Sequence, residues 1–152
     1  MNAPAALVFK RVISGSPDEI FEAWTQPELM RQWLAPGQNK VVDARTDVRV
    51  GGTFYIRSTA PDGTLHTIDG TYRDLDFGRR IVMTWSYSGP VELLCKMETL
   101  LEIDLASAPG GQTSMTVVQT HITTPEAADG YREGWPTCFD KLETSFGARD
   151  QH

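Results

Sequence analysis

The sequence predicts an α+β fold in which a curved antiparallel sheet of about seven strands, one N-terminal and six consecutive, wraps on a long C-terminal helix. Two short helices are expected between the first and second strands. Three observations carry this reading. Apolar and polar residues alternate with a period of two through six successive segments between residues 41 and 122. The connections between those segments are too short for helical crossovers, so neighbouring strands run antiparallel. The last quarter of the chain then changes to a helical period, with Trp135, Phe139, Leu142 and Phe146 spaced by 4, 3 and 4.

The first strand is LVFKRVI, Leu7 to Ile13, ended by the turn residues Ser14-Gly15-Ser16-Pro17. Ser16 caps the helix that follows. Pro17 takes the first helical position, where a missing N–H costs nothing, and Glu19 completes a capping box. Ile20, Phe21 and Trp24 form the apolar stripe before Gln26-Pro27 breaks it. Pro27 opens a second helix, PELMRQWLA, with Leu29, Met30, Trp33 and Leu34 on one side. Trp24 and Trp33 sit on helices that have little else to bury, so both are expected to anchor in the core.

The strands VVDARTDV, GGTFYIRST, LHTIDGTYRDL, RRIVMTWSYS, METLLEIDLAS and TSMTVVQTHI follow, punctuated by Gly51-Gly52, Pro61-Asp62-Gly63 and Pro109-Gly110-Gly111. Asp47 and Arg49 are placed to pair across the first bend. The final helix runs from Thr124-Pro125 to about Ala148. Pro136 inside it predicts a kink near Arg132, with the mouth of any pocket at that point.

Length and charge narrow the function classes. The 152 residues make one domain, expected at 7–148 with flexible ends at 1–6 and 149–152. A net charge of −6 without any cluster of Lys or Arg argues against nucleic acid and against an anionic membrane surface. No run approaches the ~18 apolar residues of a membrane span and no secretory leader is legible, so the expectation is a cytoplasmic protein without membrane insertion. Cys95 and Cys138 have neither a C-x-x-C motif nor a neighbouring histidine and are expected as free thiols.

A strongly curved sheet cannot touch a straight helix along its whole length, so the gap is either filled by large side chains or holds a ligand. Taking the more apolar face of each strand as inward gives the candidate ligand-binding residues. They are Phe54, Ile56, His66, Ile68, Tyr72, Met83, Trp85, Tyr87, Leu101, Val117 and Gln119, joined from the helix by Trp135 and Phe139, with Cys138 beside them. The inward polar minority is His66, Tyr72, Tyr87, Thr99, Gln119 and His121. Such a mixture suits a small-molecule pocket, mostly apolar with a few hydrogen-bonding points; a cavity of several hundred cubic ångströms lined by Trp85, Tyr87 and Trp135 favours binding or catalysis, whereas a filled core with an exposed apolar patch favours a protein partner.

Other chemistry is less supported. His66 and His121 lack a converging third ligand, since Asp69 and Glu102 fall on the opposite face, so no metal is expected. No G-x-S-x-G elbow, Gly-rich phosphate loop or sequence-adjacent cysteine–histidine pair is present, so no catalytic residue and no cofactor is assigned. Acid–base work by His66, Tyr87 or His121 is the enzymatic alternative.

The run FKRVISGSPDEIFEAWTQPELMRQWLAP, followed by DVRVGGTFYI, PDG, DGTYRDL, RRIVMTW, GW and FDKLETSF, resembles the heat-shock-protein-90 ATPase activator homologue family. That family lies in the START and birch-pollen-allergen (SRPBCC) superfamily of helix-grip folds, and the resemblance covers residues 7 to 148. It implies a single START-like domain. It is specific for fold rather than function, because the superfamily includes lipid carriers, hormone receptors, polyketide cyclases and chaperone activators. The reading carried forward is a non-catalytic protein that holds a small apolar or aromatic molecule between sheet and C-terminal helix. The first alternative, implied by the resemblance, is a chaperone-activator-like stress protein acting on a protein partner, although nothing in these residues supplies the additional N-terminal domain of the eukaryotic activators. The second is a cyclase- or hydrolase-like enzyme. A monomer or homodimer is expected by the same resemblance.

Overall fold

The computed structural model describes residues 5–95 and 97–150. In chain order these form β1 (Ala5–Ile13), α1 (Pro17–Thr25), α2 (Pro27–Met30), β2 (Lys40–Thr46), β3 (Thr53–Thr59), β4 (Leu65–Asp76), β5 (Arg80–Ser88), β6 (Glu98–Ala108), β7 (Gln112–Ile122) and α3 (Pro125–Asp150), with 3-10 turns at Glu92–Leu94 and Pro109–Gly111. The strands make one antiparallel sheet ordered β1-β7-β6-β5-β4-β3-β2. The helix pair α1–α2 carries the chain from one edge of the sheet to the other. Since β1 starts at Ala5 and α3 ends at Asp150, the remainder of the expected flexible ends, 1–4 and 151–152, lies outside the described residues.

Local chemistry sets the helix boundaries. Ser16 Oγ accepts the Glu19 N–H at 3.2 Å and the Glu19 carboxylate accepts the Ser16 N–H at 3.0 Å, which is the capping box read from the sequence. Helix α2 is shorter than expected. It stops at Met30, after which the chain tightens into turns in which the Trp33 and Leu34 N–H groups both reach Met30 O. The apolar side survives this change, since Met30, Trp33 and Leu34 are all buried. On the exposed bend after β2, Arg49 Nε donates to Asp47 Oδ2 at 2.8 Å.

Helix α3 runs continuously through Pro136 and packs on β1 and β7. Arg11 of β1 grips its outer side, pairing with Asp140 at 2.8 Å and with Glu143. Beneath it lies an aromatic cluster: Trp24 meets Trp33 edge-on with ring centroids 4.7 Å apart, and Trp135 stacks on Phe139 at 5.4 Å. Trp24 and Trp33 are fully enclosed, and both indoles are satisfied, by Met115 Sδ at 3.4 Å and by Ala23 O at 3.0 Å. Among the described residues no helix is long and apolar enough to cross a membrane.

Among the described residues the sheet register shifts at three places, between Ala5 and Leu7, Val41 and Asp43, and Tyr72 and Asp74. Near the end of β7, Leu7 pairs with Gln119 but Ala5 pairs with Ile122, so β7 carries one extra residue there. His121 sits in that bulge with φ 65° and is exposed, while Ile122 takes the inward position. The expected inward orientation of His121 is therefore corrected: strict alternation fails where a bulge inserts a residue. In β4, a Cβ on Gly70 would lie 2.0 Å from Thr84 O and 2.8 Å from the Phe54 ring, so only glycine lets β5 and Phe54 approach this closely. Replacement Gly70→Ala is expected to cost about 1–3 kcal/mol, the usual scale of overpacking. A urea midpoint equal to that of the parent protein would contradict this account.

Candidate functional site

One end of the gap between sheet and α3 is unfilled, leaving a cavity of about 180 Å³. Its sheet wall comes from Ile56 and Ser58 of β3, His66 and Ile68 of β4, and Trp85 and Tyr87 of β5. Its helix wall is Gly130, Tyr131, Gly134, Trp135 and Cys138 of α3. Leu34, Pro36 and Asn39, from the segment after α2, form one rim, and Val91 and Leu94 after β5 form the other.

Each rim is tied down by named bonds. Gly37 N–H donates to Thr137 Oγ1 at 2.9 Å, and Lys141 Nζ donates to Ala35 O at 2.6 Å and Asn39 O at 3.1 Å, so the first rim is stapled to α3. On the other side the Tyr87 hydroxyl lies 2.7 Å from His66 Nδ1 and accepts the Val91 N–H at 3.2 Å. That hydroxyl joins β4, β5 and the 3-10 turn. Burial raises the Tyr87 phenol, with the Val91 N–H acting against it.

The floor is set by a buried polar chain. Trp135 Nε1 donates to Gln119 Oε1 at 2.9 Å, Gln119 Nε2 donates to Thr99 Oγ1 at 2.9 Å, and Thr99 Oγ1 donates to Trp85 O at 2.7 Å. Gln119 and Thr99 are fully enclosed. Both therefore satisfy the interior rather than face the cavity.

The residues predicted for a pocket thus divide. Ile56, His66, Ile68, Trp85, Tyr87 and Trp135 stand together on the wall, as does Cys138. Phe54, Tyr72, Met83, Leu101, Val117 and Phe139 share the inward face but belong to the filled core, and Gln119 lies in the polar chain. Their bulk keeps the cavity at about 180 Å³, below the several hundred cubic ångströms that would favour binding or catalysis over a protein partner. His121 is on the surface. Sequence reasoning missed the rim residues, which come from irregular segments without periodicity. It also missed Tyr131, which a helical signal could have supplied, since it stands one turn before Trp135 on the same stripe.

Two buried side-chain donors among the described residues, Tyr72 Oη and Trp85 Nε1, have no hydrogen-bond partner, and Tyr131 Oη has only the Gln119 side chain near it. Tyr72 is packed in the core against Phe54, with ring centroids 5.5 Å apart. Trp85 and Tyr131 line the cavity, but Trp85 Nε1 and Tyr131 Oη are themselves shut off from it. Burial pushes the Tyr131 phenol up to about 12, with the nearby Gln119 side chain opposing it. No group of three His, Cys, Asp or Glu gathers closely enough to hold a metal among the described residues.

Residues 14–147 match the family model described as Activator of Hsp90 ATPase homolog 1-like protein. No curated protein matches the chain. Among solved structures, an uncharacterized protein from Rhizobium leguminosarum is 28% identical, with 95% of each chain covered and a TM-score of 0.78. A protein from Nitrosomonas europaea is 26% identical over 97% of each chain, with a TM-score of 0.77. A protein named AHSA1 from Silicibacter pomeroyi shares the fold at 17% identity, over 95% of this chain and 99% of its own, with a TM-score of 0.79.

Cys138 is buried, and burial pushes its thiol from 9.0 up to about 12, with Lys141 acting in the opposite direction. Because the folded state holds this proton more tightly than the unfolded chain, the associated stability is intact below pH 9.0 and is lost as the pH rises toward about 12. At neutral pH an aromatic disulfide reagent should modify Cys95 in the folded protein and reach Cys138 only on unfolding. Equal labelling rates for the two thiols without denaturant would contradict the burial. In Cys138→Ala, the loss of stability above pH 9 should be shallower than in the parent.

Proposed function

The chain belongs to the activator of Hsp90 ATPase homolog 1-like family, and we propose that it is a non-catalytic binding protein whose cavity takes a small apolar or aromatic molecule about the size of one ring. The observation that carries this reading is the 180 Å³ cavity between β3–β5 and α3, walled by Trp85, Trp135, Ile56 and Ile68. An apolar cavity of roughly 150 Å³ is known to admit benzene, so the volume suits a single ring with a short substituent. Lipid-sized ligands need more room. The polar points on the wall, His66 and Tyr87, supply orientation rather than bulk affinity.

A second reading, a stress protein acting through a partner such as a chaperone, draws its support from the family description. An acid–base role for the hydrogen-bonded pair His66 and Tyr87 is the enzymatic version of the first reading. Its test is turnover of whatever the cavity binds. The acidic chain and its two free thiols support a cytoplasmic setting.

Native mass spectrometry of the purified protein, compared with the denatured chain, tests the binding reading together with calorimetric titration of single-ring probes. A released small mass, or saturable binding of a probe such as indole, is expected. Ile68→Trp places a larger side chain on the cavity wall and should weaken that binding at least tenfold while the thermal transition stays cooperative. Absence of binding by every single-ring probe, or unchanged binding in the filled variant, would overturn the proposal.

A further inference from the structure

We infer that the groove between the segment after α2 and the turn after β3 is a second binding site, for a small anion carrying two or more negative charges. The inference goes beyond the cavity reading and does not depend on it. The groove, of about 820 Å³, is formed by residues from Arg31 to Val41, by Thr59, Ala60 and Pro61, and by Lys141 of α3. Its charged residues are Arg31, Lys40 and Lys141, and no Asp or Glu stands on its wall among the described residues. In a chain of net charge −6 this is a local reversal of sign. No run of sequence announces it, because the three cations come from the turn after α2, the start of β2 and α3.

Hydrogen bonds gather the head groups on one short stretch of chain. Lys141 Nζ donates to Ala35 O at 2.6 Å and Asn39 O at 3.1 Å, and Arg31 Nη1 donates to Val42 O at 3.4 Å. From Asn39 to Val42 is roughly 10 Å of extended chain, and Lys40 lies between them. The positive charge there is poorly neutralised. Neither Lys40 nor Lys141 forms an ion pair among the described residues. Arg31 has one carboxylate contact, Asp43 at 4.0 Å, and that carboxylate is shared with Arg57 at 3.8 Å and with the Tyr55 hydroxyl at 2.8 Å. Lys141 is half-buried, and burial lowers its pKa with only Cys138 opposing, the reverse of what a paired carboxylate would do. An ammonium has three donors, and carbonyls take two from Lys141, so one N–H and the whole charge remain. A partly desolvated cation without a counter-ion is a cost that a charge-assisted hydrogen bond to an anion removes. One negative charge would leave most of the set unmatched, whereas a phosphoryl or polycarboxylate group answers it. The side-chain amides of Gln32 and Gln38 on the same wall add neutral donors.

Calorimetric titration at fixed ionic strength with pyrophosphate, tricarballylate and acetate tests the site. At least one of the two multivalent anions is expected to bind tenfold or more tightly than acetate, and the tighter of them names phosphate or carboxylate as the recognised group. Arg31→Gln and Lys40→Gln should each weaken that binding threefold or more. Lys10→Gln, on β1 at the opposite edge of the sheet, should leave it within twofold. Because Lys141 also staples the rim, its part is read in the parent protein: with the anion bound, its ammonium should titrate at higher pH by nitrogen-15 NMR. Failure of both multivalent anions to bind, or acetate binding as tightly, would overturn the inference. Equal weakening by Lys10→Gln would reduce the effect to general charge attraction and overturn it too. The cavity reading is tested separately, since none of these outcomes bears on the binding of single-ring probes.

Discussion

The placement of α3 on the sheet depends on one buried hydrogen-bond chain, from the Trp135 indole through Gln119 and Thr99 to the carbonyl of Trp85. Apolar packing alone is non-directional and would accept the helix in several rotations. The chain removes that freedom, because each of its polar groups is enclosed and each would be left unpaired if the helix turned or slid. It also couples three strands. Thr99 stands opposite Trp85 across the β5–β6 ladder, and Gln119 lies on the diagonal position of β7, so the sheet register and the helix position are specified together.

Once α3 is fixed in this way, the two ends of the gap have different fates. Toward the C-terminus, Phe139, Leu142 and Phe146 fill the space, and Phe146 lies so close to Gly15 that a Cβ there would be 2.6 Å from its ring. Toward the N-terminus the helix presents Gly130 and Gly134, which offer no side chain, and the strands opposite present Ile56, Ile68 and His66. A Cβ on Gly130 would meet Leu94 at 3.4 Å and one on Gly134 would meet Pro36 at 3.5 Å, so the two glycines let both rims sit close against the helix.

Periodicity made most of the architecture legible. The strand faces, the capping box, the antiparallel order and the aromatic stripe of α3 all follow from local rules that depend on a few residues at a time. Periodicity assigns a face, though, and not the occupancy of the space beyond it. Phe54, Tyr72, Met83, Leu101, Val117 and Phe139 have the same inward signature as Trp85 and Tyr87, and only three-dimensional packing separates a filled layer from a wall. His121 shows the other limit. A single inserted residue in β7 reverses the alternation, and no local composition marks it beyond a histidine that tolerates positive φ. The rims after α2 and β5 have no period, so their contribution could come only from the folded chain.

The helix that closes the cavity is intrinsically weak where it does so. Gly130, Gly134 and Pro136 fall within two turns, and relative to alanine each glycine costs a helix about 1 kcal/mol and an interior proline about 3 kcal/mol. Such a segment cannot stand as an autonomous folding unit, so the order of α3 depends on its packing against the sheet, above all β1 and β7. Its middle turns therefore draw their order from what they touch on the sheet side. A molecule seated against them becomes part of that support, which makes cavity occupancy and helical order a single linked equilibrium.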